Sequence, residues 1–210
     1  MFIAIEGIDG AGKSTQVHLL AQWLKQQGHT VQVCRDPGST DLGESIRQLL
    51  LQSRHQIGAK AQMLLYMAAR AQMVDERIAP WLHRPGTVVV CDRYVLSNVV
   101  YQGYGCGLDP QTIWQVGQVA TAGVMPQLTL VLDVELAVAR RRLQGPRDRI
   151  ESLGEDFFRR LIDGYRREAA RDPQHIVLVP AEGPAEQVHQ AIRQIVSEHL
   201  ASSAPGSKKP

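Results

Sequence analysis

Cysteine is scarce: Cys34, Cys91 and Cys106 are the three in 210 residues, with no close-spaced pair and no histidine at ligand spacing. That excludes a disulfide scaffold and argues against a zinc site, and it fits reduced, half-buried thiols. No apolar run approaches the roughly 20 residues that a membrane span requires. The first run, MFIAI, stops at Glu6 with no basic stretch before it, too short for a secretory signal. An excess of one charge is also missing. Lys+Arg number 23 against Asp+Glu 21, a net charge of +2, which gives little attraction for a nucleic-acid polymer. Lysine is rare among the cations, five against eighteen arginines. Such a bias suits planar, bidentate recognition of phosphate or carboxylate. Asparagine occurs once, at Asn98, and Val99 follows it, so the N-K-x-D segment of guanine-binding GTPases is absent. The composition predicts a soluble, cytoplasmic protein without nucleic-acid or membrane partners.

What is present is globular: 44% apolar and 21% charged residues, in a length that suits one α/β domain. Phe2 to Ile5, Thr30 to Cys34, Thr87 to Cys91, Leu128 to Leu132 and Ile176 to Val179 read as strands. Phe2 to Ile5 and Thr87 to Cys91 are runs of the kind buried on both faces. Between them, 3.6-residue periodicity predicts helices over Lys13 to Gln27, Leu42 to Leu51, Ala59 to Leu82, Val95 to Gln102 and Pro110 to Ala122. A helix with an arginine cluster follows the fourth strand, then helices over Glu155 to Arg171 and Pro184 to Leu200. Strands alternating with helices predict a parallel five-stranded sheet with helices on both faces and right-handed crossovers. The domain is expected to span 1–200, and 201–210, ASSAPGSKKP, to be a disordered tail.

Immediately after the first strand stands GIDGAGKS, Gly7 to Ser14, which matches G-x-x-x-x-G-K-[ST] in the required strand-to-helix context. The backbone of Gly7, Ile8, Asp9, Gly10, Ala11 and Gly12 is expected to converge on the phosphates of ATP, with Thr15 beside it in the first helical turn. Lys13 supplies a point charge to the β and γ phosphates and the Ser14 hydroxyl is a Mg²⁺ ligand. Asp92, at the end of a buried strand, is the natural second carboxylate for the Mg²⁺ shell.

Four further segments stand in order after this loop: RDPGST (Arg35 to Thr40), LLYMAARAQ (Leu64 to Gln72), DRYVLSNVVYQG (Asp92 to Gly103) and DRIE (Asp148 to Glu151). With the phosphate loop, they make the chain, from about Met1 to Leu200, resemble the bacterial thymidylate kinases, which transfer the ATP γ-phosphoryl group to dTMP and act as homodimers. The resemblance implies a P-loop kinase fold with a mobile lid. It implies that Asp9 faces the acceptor sugar, that Arg93 holds the acceptor phosphate, and that Arg35, Asp36 and Ser97 belong to the acceptor site.

Tyr66 and Arg70, four apart on a helix, share a face and could together frame a flat base; in the family the aromatic is usually Phe. Asn98 and Tyr101, three apart, share another face with Gln102 beside them. An amide offers one donor and one acceptor to a pyrimidine edge, and a tyrosine ring can fill the space of a ribose 2′-hydroxyl. By resemblance Asn98 is a base contact and Tyr101 the deoxyribose selector. Asp36 stands where bacterial members often carry Glu, and Ser39 where they often carry Gly.

The acceptor phosphate, with a second pKa of about 6, is a nucleophile at neutral pH and requires no general base. The obstacle is repulsion between two anionic phosphates. Arg140, Arg141, Arg142, Arg147 and Arg149 lie within ten residues around a QGP segment. Thymidylate kinases place a catalytic arginine either in the phosphate loop or on a lid. Here the loop has Gly10, so the chain resembles the lid type, with the lid at about 142–152 and Arg142 and Arg147 as the candidate catalytic cations. The alternatives are another deoxynucleoside or nucleoside monophosphate kinase, and a P-loop nucleotide switch without transfer activity.

Overall fold

A computed structural model describes residues 1–52, 56–143 and 154–202. In chain order its elements are β1 (Phe2–Glu6), α1 (Lys13–Gln26), β2 (Thr30–Arg35), α2 (Asp41–Gln52), α3 (Ala59–Met73), a π-helical turn (Val74–Ile78) and α4 (Ala79–Leu82). Then come β3 (Thr87–Asp92), α5 (Val95–Asn98), a second π-helical segment (Val99–Gly105), α6 (Pro110–Ala120) and β4 (Leu128–Asp133). The remainder is α7 (Leu136–Arg142), α8 (Glu155–Arg171), β5 (Ile176–Pro180) and α9 (Ala185–Ser202).

The strands form one sheet in the order β2-β3-β1-β4-β5, every adjacent pair parallel. Each predicted strand is present, and each extends one residue further at its carboxyl end. The run FIAIE of β1 is buried at every position, as are the first five residues of β3 and β4, because helices cover both faces of these three central strands. β2 is an edge strand and leaves Val33 exposed. Leu20 and Leu24, one turn apart on α1, are fully buried in the main core with the strand side chains.

Two departures from strict helical period concern the site. The predicted helix Ala59 to Leu82 is continuous but carries the π turn at Val74–Ile78, and the helix starting at Val95 continues in π geometry to Gly105, beyond the expected Gln102. Wider i to i+5 turns of this kind are common at functional sites. Helix α6 ends at Ala120, two residues early, as Ala122 turns to φ 49°. Cys34 and Cys91 are register partners on β2 and β3 and are fully buried, not half-buried; Cys106 is exposed. Among the described residues no helix is long and apolar enough to cross a membrane.

Candidate active site

The carboxyl ends of β1 and β3 deliver the two segments on which the site is built, the loop Gly7 to Ser14 and the turn Asp92 to Tyr94. In the loop, Ile8 and Ala11 turn their side chains into the core, so only their backbone faces the cleft. Gly10 and Gly12 have φ of 83° and 99°, a region that costs other residues about 1–2 kcal/mol. A Cβ at Gly10 would overlap the carbonyl oxygen of Ala139 on α7. Lys13 begins α1, is 8% exposed, and donates from Nζ to the carbonyl of Ile8 at 2.9 Å. Burial depresses its pKa to about 8, with the Arg93 charge adding to the effect and Asp9 and Asp92 partly offsetting it. Ser14 Oγ donates to Asp92 Oδ2 at 2.8 Å. With Gly10, Gly12, Lys13 and Thr15, this pair lines an open cavity.

A second cavity adjoins the first. Asp9, Asp36, Arg47 and Arg93 line both. Its walls otherwise come from Pro37, Leu51, Tyr66, Arg70, Ser97, Asn98, Tyr101 and Gln102, so every residue expected at the acceptor site except Arg35 borders it. Arg35 pairs with the exposed Glu44 and borders the first cavity instead.

Arg93 stands between the two cavities. Its φ is 70°, a strained conformation for a residue with a Cβ, and it is held by its own backbone and side chain. Its N–H bonds to the Ile5 carbonyl at 3.0 Å. Nη1 donates to the Gly7 carbonyl at 3.1 Å and to Ser97 Oγ at 3.0 Å; Nη2 donates to the Asp9 carboxylate and to the Tyr101 hydroxyl at 3.2 Å. Burial would raise the Asp9 pKa, but Arg93, Lys13 and the Tyr101 hydroxyl outweigh it and hold the carboxylate ionised. The tension of a carboxylate beside bound phosphates is thus compensated before any ligand arrives. The Tyr101 ring is stacked under Arg93, 5.0 Å from ring centroid to guanidinium carbon, and its hydroxyl also reaches Asp9 Oδ2 at 3.2 Å.

Tyr66 and Arg70 share the predicted face, with a difference. Arg70 is 1% exposed and tied to a second segment: its Nε donates to Asp36 Oδ2 at 2.5 Å while Nη2 reaches the Tyr94 carbonyl. The pairing locks the RDPGST loop onto α3. Asp36 Oδ1 and Asn98 Oδ1 are buried acceptors without a hydrogen-bond partner among the described residues. Asn98 donates through Nδ2 to Gln102 Oε1 at 2.8 Å, which fixes its amide orientation and leaves the acceptor oxygen for a ligand.

Arg142, at the last turn of α7, donates to the carbonyls of Ala181, Glu182 and Gly183 at 2.7, 2.8 and 3.1 Å. It lines the cavity at the phosphate loop and a smaller one between that loop and 181–185. Arg147, Arg149 and the DRIE segment lie outside the described residues, as do 144–152 of the expected lid and 203–210 of the expected tail.

Three side chains of the site have no counterpart in the sequence reading. Arg47 on α2 donates to the Pro37 carbonyl at 3.2 Å and faces both cavities. Glu6 and Tyr165 lie beneath Ser97 and Arg93. A charged residue closing an otherwise apolar strand was the one available signal, at Glu6; Arg47 and Tyr165 sit on amphipathic helices whose periodicity does not mark them.

Residues 5–192 match the family model described as thymidylate kinase. A thymidylate kinase of Kosmotoga olearia is 42% identical over 202 residues, 95% of this chain and 95% of that protein. One of Trichormus variabilis is 41% identical over 204 residues, 95% of this chain and 96% of its own. The crystal structure of thymidylate kinase from Ehrlichia chaffeensis superposes with a TM-score of 0.76 at 31% identity, covering 93% of this chain and 98% of that one.

Proposed function

The chain belongs to the thymidylate kinase family, and from that premise we propose how its own residues carry the transfer of the ATP γ-phosphoryl group to dTMP, giving ADP and dTDP. The observation that carries the assignment is the shared wall. Two cavities, one at a phosphate loop and one edged by amide and aromatic side chains, meet across Asp9 and Arg93.

The donor binds at Gly7 to Thr15. The oxygen pair Ser14 and Asp92 fits Mg²⁺, a hard cation that keeps several waters and is bound through one or two protein oxygens plus substrate phosphates. Bound there, Mg²⁺ neutralises charge that develops between the β and γ phosphates.

Phosphates of unit charge about 4 Å apart repel by about 4 kcal/mol at an effective dielectric of 20. Lys13 and Arg93 offset this from opposite sides of the reacting centre. Arg142, with Arg147 in 142–152, completes the cationic surround as a lid. The closeness of Ala139 to Gly10 supports the lid assignment, because α7 occupies the space that a side chain at position 10 would need. Asp9 takes the sugar 3′-hydroxyl, Tyr101 excludes a 2′-hydroxyl, Tyr66 lies against the base, and the Asn98 oxygen accepts from a pyrimidine N–H. A nucleoside acceptor would require a carboxylate base, for which Asp36 or Asp92 is the candidate; Asp36 is paired with Arg70, and Asp92 lines the cavity at the phosphate loop and not the acceptor cavity.

Purified protein assayed for ADP release across the nucleoside monophosphates and thymidine tests this: dTMP should have the highest kcat/KM, and faster turnover of thymidine or UMP would overturn it. We read 1–200 as one kinase domain in the cytoplasm, paired as a homodimer. The exposed Leu42, Leu49 and Leu64 of α2 and α3 support an apolar pairing face, and sedimentation at the monomer mass would remove the dimer.

A further inference from the structure

We propose that Glu6, acting through Ser97 and steadied by Tyr165, is a positioning residue for Arg93: it fixes one edge of the guanidinium so that the other edge can exchange partners when the acceptor phosphate enters. This rests on the assignment of Arg93 to the acceptor phosphate.

Glu6 closes β1 and is 0% exposed, and no ion pair among the described residues reaches it. Its two oxygens have separate partners. Oε1 accepts the backbone N–H groups of Tyr94 and Ser97 at 2.7 and 3.1 Å, which ties down the turn after β3. Oε2 accepts two hydroxyls, Ser97 Oγ at 2.5 Å and Tyr165 at 3.1 Å. A carboxylate needed only to cap the turn would be explained by the first pair. The second pair leads elsewhere.

Because the Ser97 hydrogen is directed at Glu6, the lone pairs of Oγ are left to accept from Arg93 Nη1 at 3.0 Å, and the direction of the relay is fixed. The other Nη1 hydrogen goes to the Gly7 carbonyl, which the Tyr165 hydroxyl also approaches at 3.4 Å. The Nη1 edge is therefore anchored to β1, to the phosphate loop and, through Tyr165, to α8. Both Nη2 hydrogens are occupied by Asp9 and Tyr101, the two groups that face the acceptor cavity. An incoming phosphate must displace one of them or use Nε. If these contacts alone held the guanidinium, acceptor binding would release it at the moment its position matters. The relay from Glu6 holds it independently.

The test uses the full chain. Ser97→Ala and Tyr165→Phe are made singly and in an Arg93→Lys background, with kcat and KM for dTMP and ATP and the melting temperature measured for each. Ser97→Ala should lower kcat/KM for dTMP at least tenfold, and Tyr165→Phe about threefold, with the ATP KM within twofold. Ser97→Thr, which keeps a hydroxyl, should restore most of the loss. In the Arg93→Lys background neither substitution should cost more than twofold, since residues that act through a common partner are not additive. Undiminished losses in that background would overturn the proposal, as would a lowered melting temperature with unchanged kinetics. Glu6→Gln should match Ser97→Ala if it folds; if it does not, the Ser97 and Tyr165 arms decide. An Arg93→Lys variant with wild-type dTMP kinetics is a different failure, removing the acceptor-phosphate assignment itself and the proposal with it.

Discussion

Lys13→Met should abolish phosphoryl transfer and at the same time make the ligand-free protein more stable at neutral pH. Lys13 is 8% exposed, and burial, followed by the Arg93 charge, depresses its pKa from the ordinary 10.5 to about 8. At about 1.4 kcal/mol for each tenfold change in proton affinity, keeping this ammonium charged in the folded protein costs about 3 kcal/mol. Methionine is similar in length and removes the charge. The substitution also deletes the bond from Nζ to the Ile8 carbonyl, which keeps the Ala11 N–H at 3.2 Å, and losing a hydrogen bond to a charged group costs about 1.5–3 kcal/mol. The net is a gain of about 0–1.5 kcal/mol, and at about 2–4 °C per kcal/mol for a chain of this size the melting temperature should rise by up to about 6 °C. Asp9 does not lose its charge partner, because Arg93 remains.

The pH dependence follows from proton counts. Between about pH 8 and 10.5 the unfolded chain holds a proton that folded Lys13 has released, so wild-type stability rises with pH through that window. The advantage of the variant is fully present below about pH 8 and shrinks above it. Unfolding of both proteins without nucleotide, at pH 6.5 and pH 9.5, measures this directly. A variant less stable than wild type at pH 6.5, or an equal difference at the two pH values, would refute the reasoning, and retained kcat would refute the donor site.

Tyr101→Ala should lower the ratio of kcat/KM for dTMP over ribo-TMP at least tenfold, because truncation removes the clash that selects the sugar; an unchanged ratio would make Tyr101 a core residue and support for Arg93 only. Arg142→Ala should lower kcat tenfold or more and raise the ATP KM together, since the same guanidinium faces the phosphate loop and holds three carbonyls of 181–183. Arg140→Ala and Arg141→Ala, at exposed positions on α7, should stay within twofold. Wild-type kinetics for Arg142→Ala would take it out of the donor site.

Where a feature of this protein depends on local pattern, the sequence makes it legible. The five strands are short β-rich runs between turn residues, and the phosphate loop is a fixed spacing of glycines with Lys13 and Ser14. The shared faces of Tyr66 with Arg70 and of Asn98 with Tyr101 follow from helical period. What stayed hidden depends on tertiary contact. The π segments at Val74–Ile78 and Val99–Gly105 each take up one extra residue per turn without a change in apolar pattern, so periodicity reads through them. Arg70 reads as a base-framing partner of Tyr66, and nothing local shows that the fold brings Asp36, thirty-four positions earlier, against it. Arg47 and Tyr165 join the site only because α2 packs against α3 and α8 against the second π-helical segment. Gly10 illustrates both levels: the glycine is visible in the motif, whereas the Ala139 carbonyl that denies it a side chain comes from an element more than a hundred residues away.

Several costly features of the molecule gather at the cleft. Lys13 is held charged in a buried setting that a polyphosphate would favour. Arg93 is strained in backbone and saturated at both Nη atoms. Asp36 Oδ1 and Asn98 Oδ1 are buried acceptors without donors, whereas buried polar atoms in folded proteins are ordinarily paired. Away from the cleft, buried charge is satisfied: Glu168, 2% exposed, accepts from the Tyr104 hydroxyl and the Trp114 indole at 2.8 and 2.9 Å. Buried polar atoms without a partner also occur elsewhere among the described residues, at Trp23 Nε1, Thr87 Oγ1 and His189 Nδ1, so the physical evidence of function is the coincidence of two such atoms with the buried Lys13 and the strained Arg93 around adjoining cavities; a chain selected for stability alone would replace Lys13 and Asn98 with apolar residues. Strain persists where the surrounding structure over-determines it, and here the over-determination comes from Glu6, Gly7 and Ser97 beneath Arg93. Rigid support below and unsatisfied groups above are what a site requires if it is to bring two anions together without first rearranging itself.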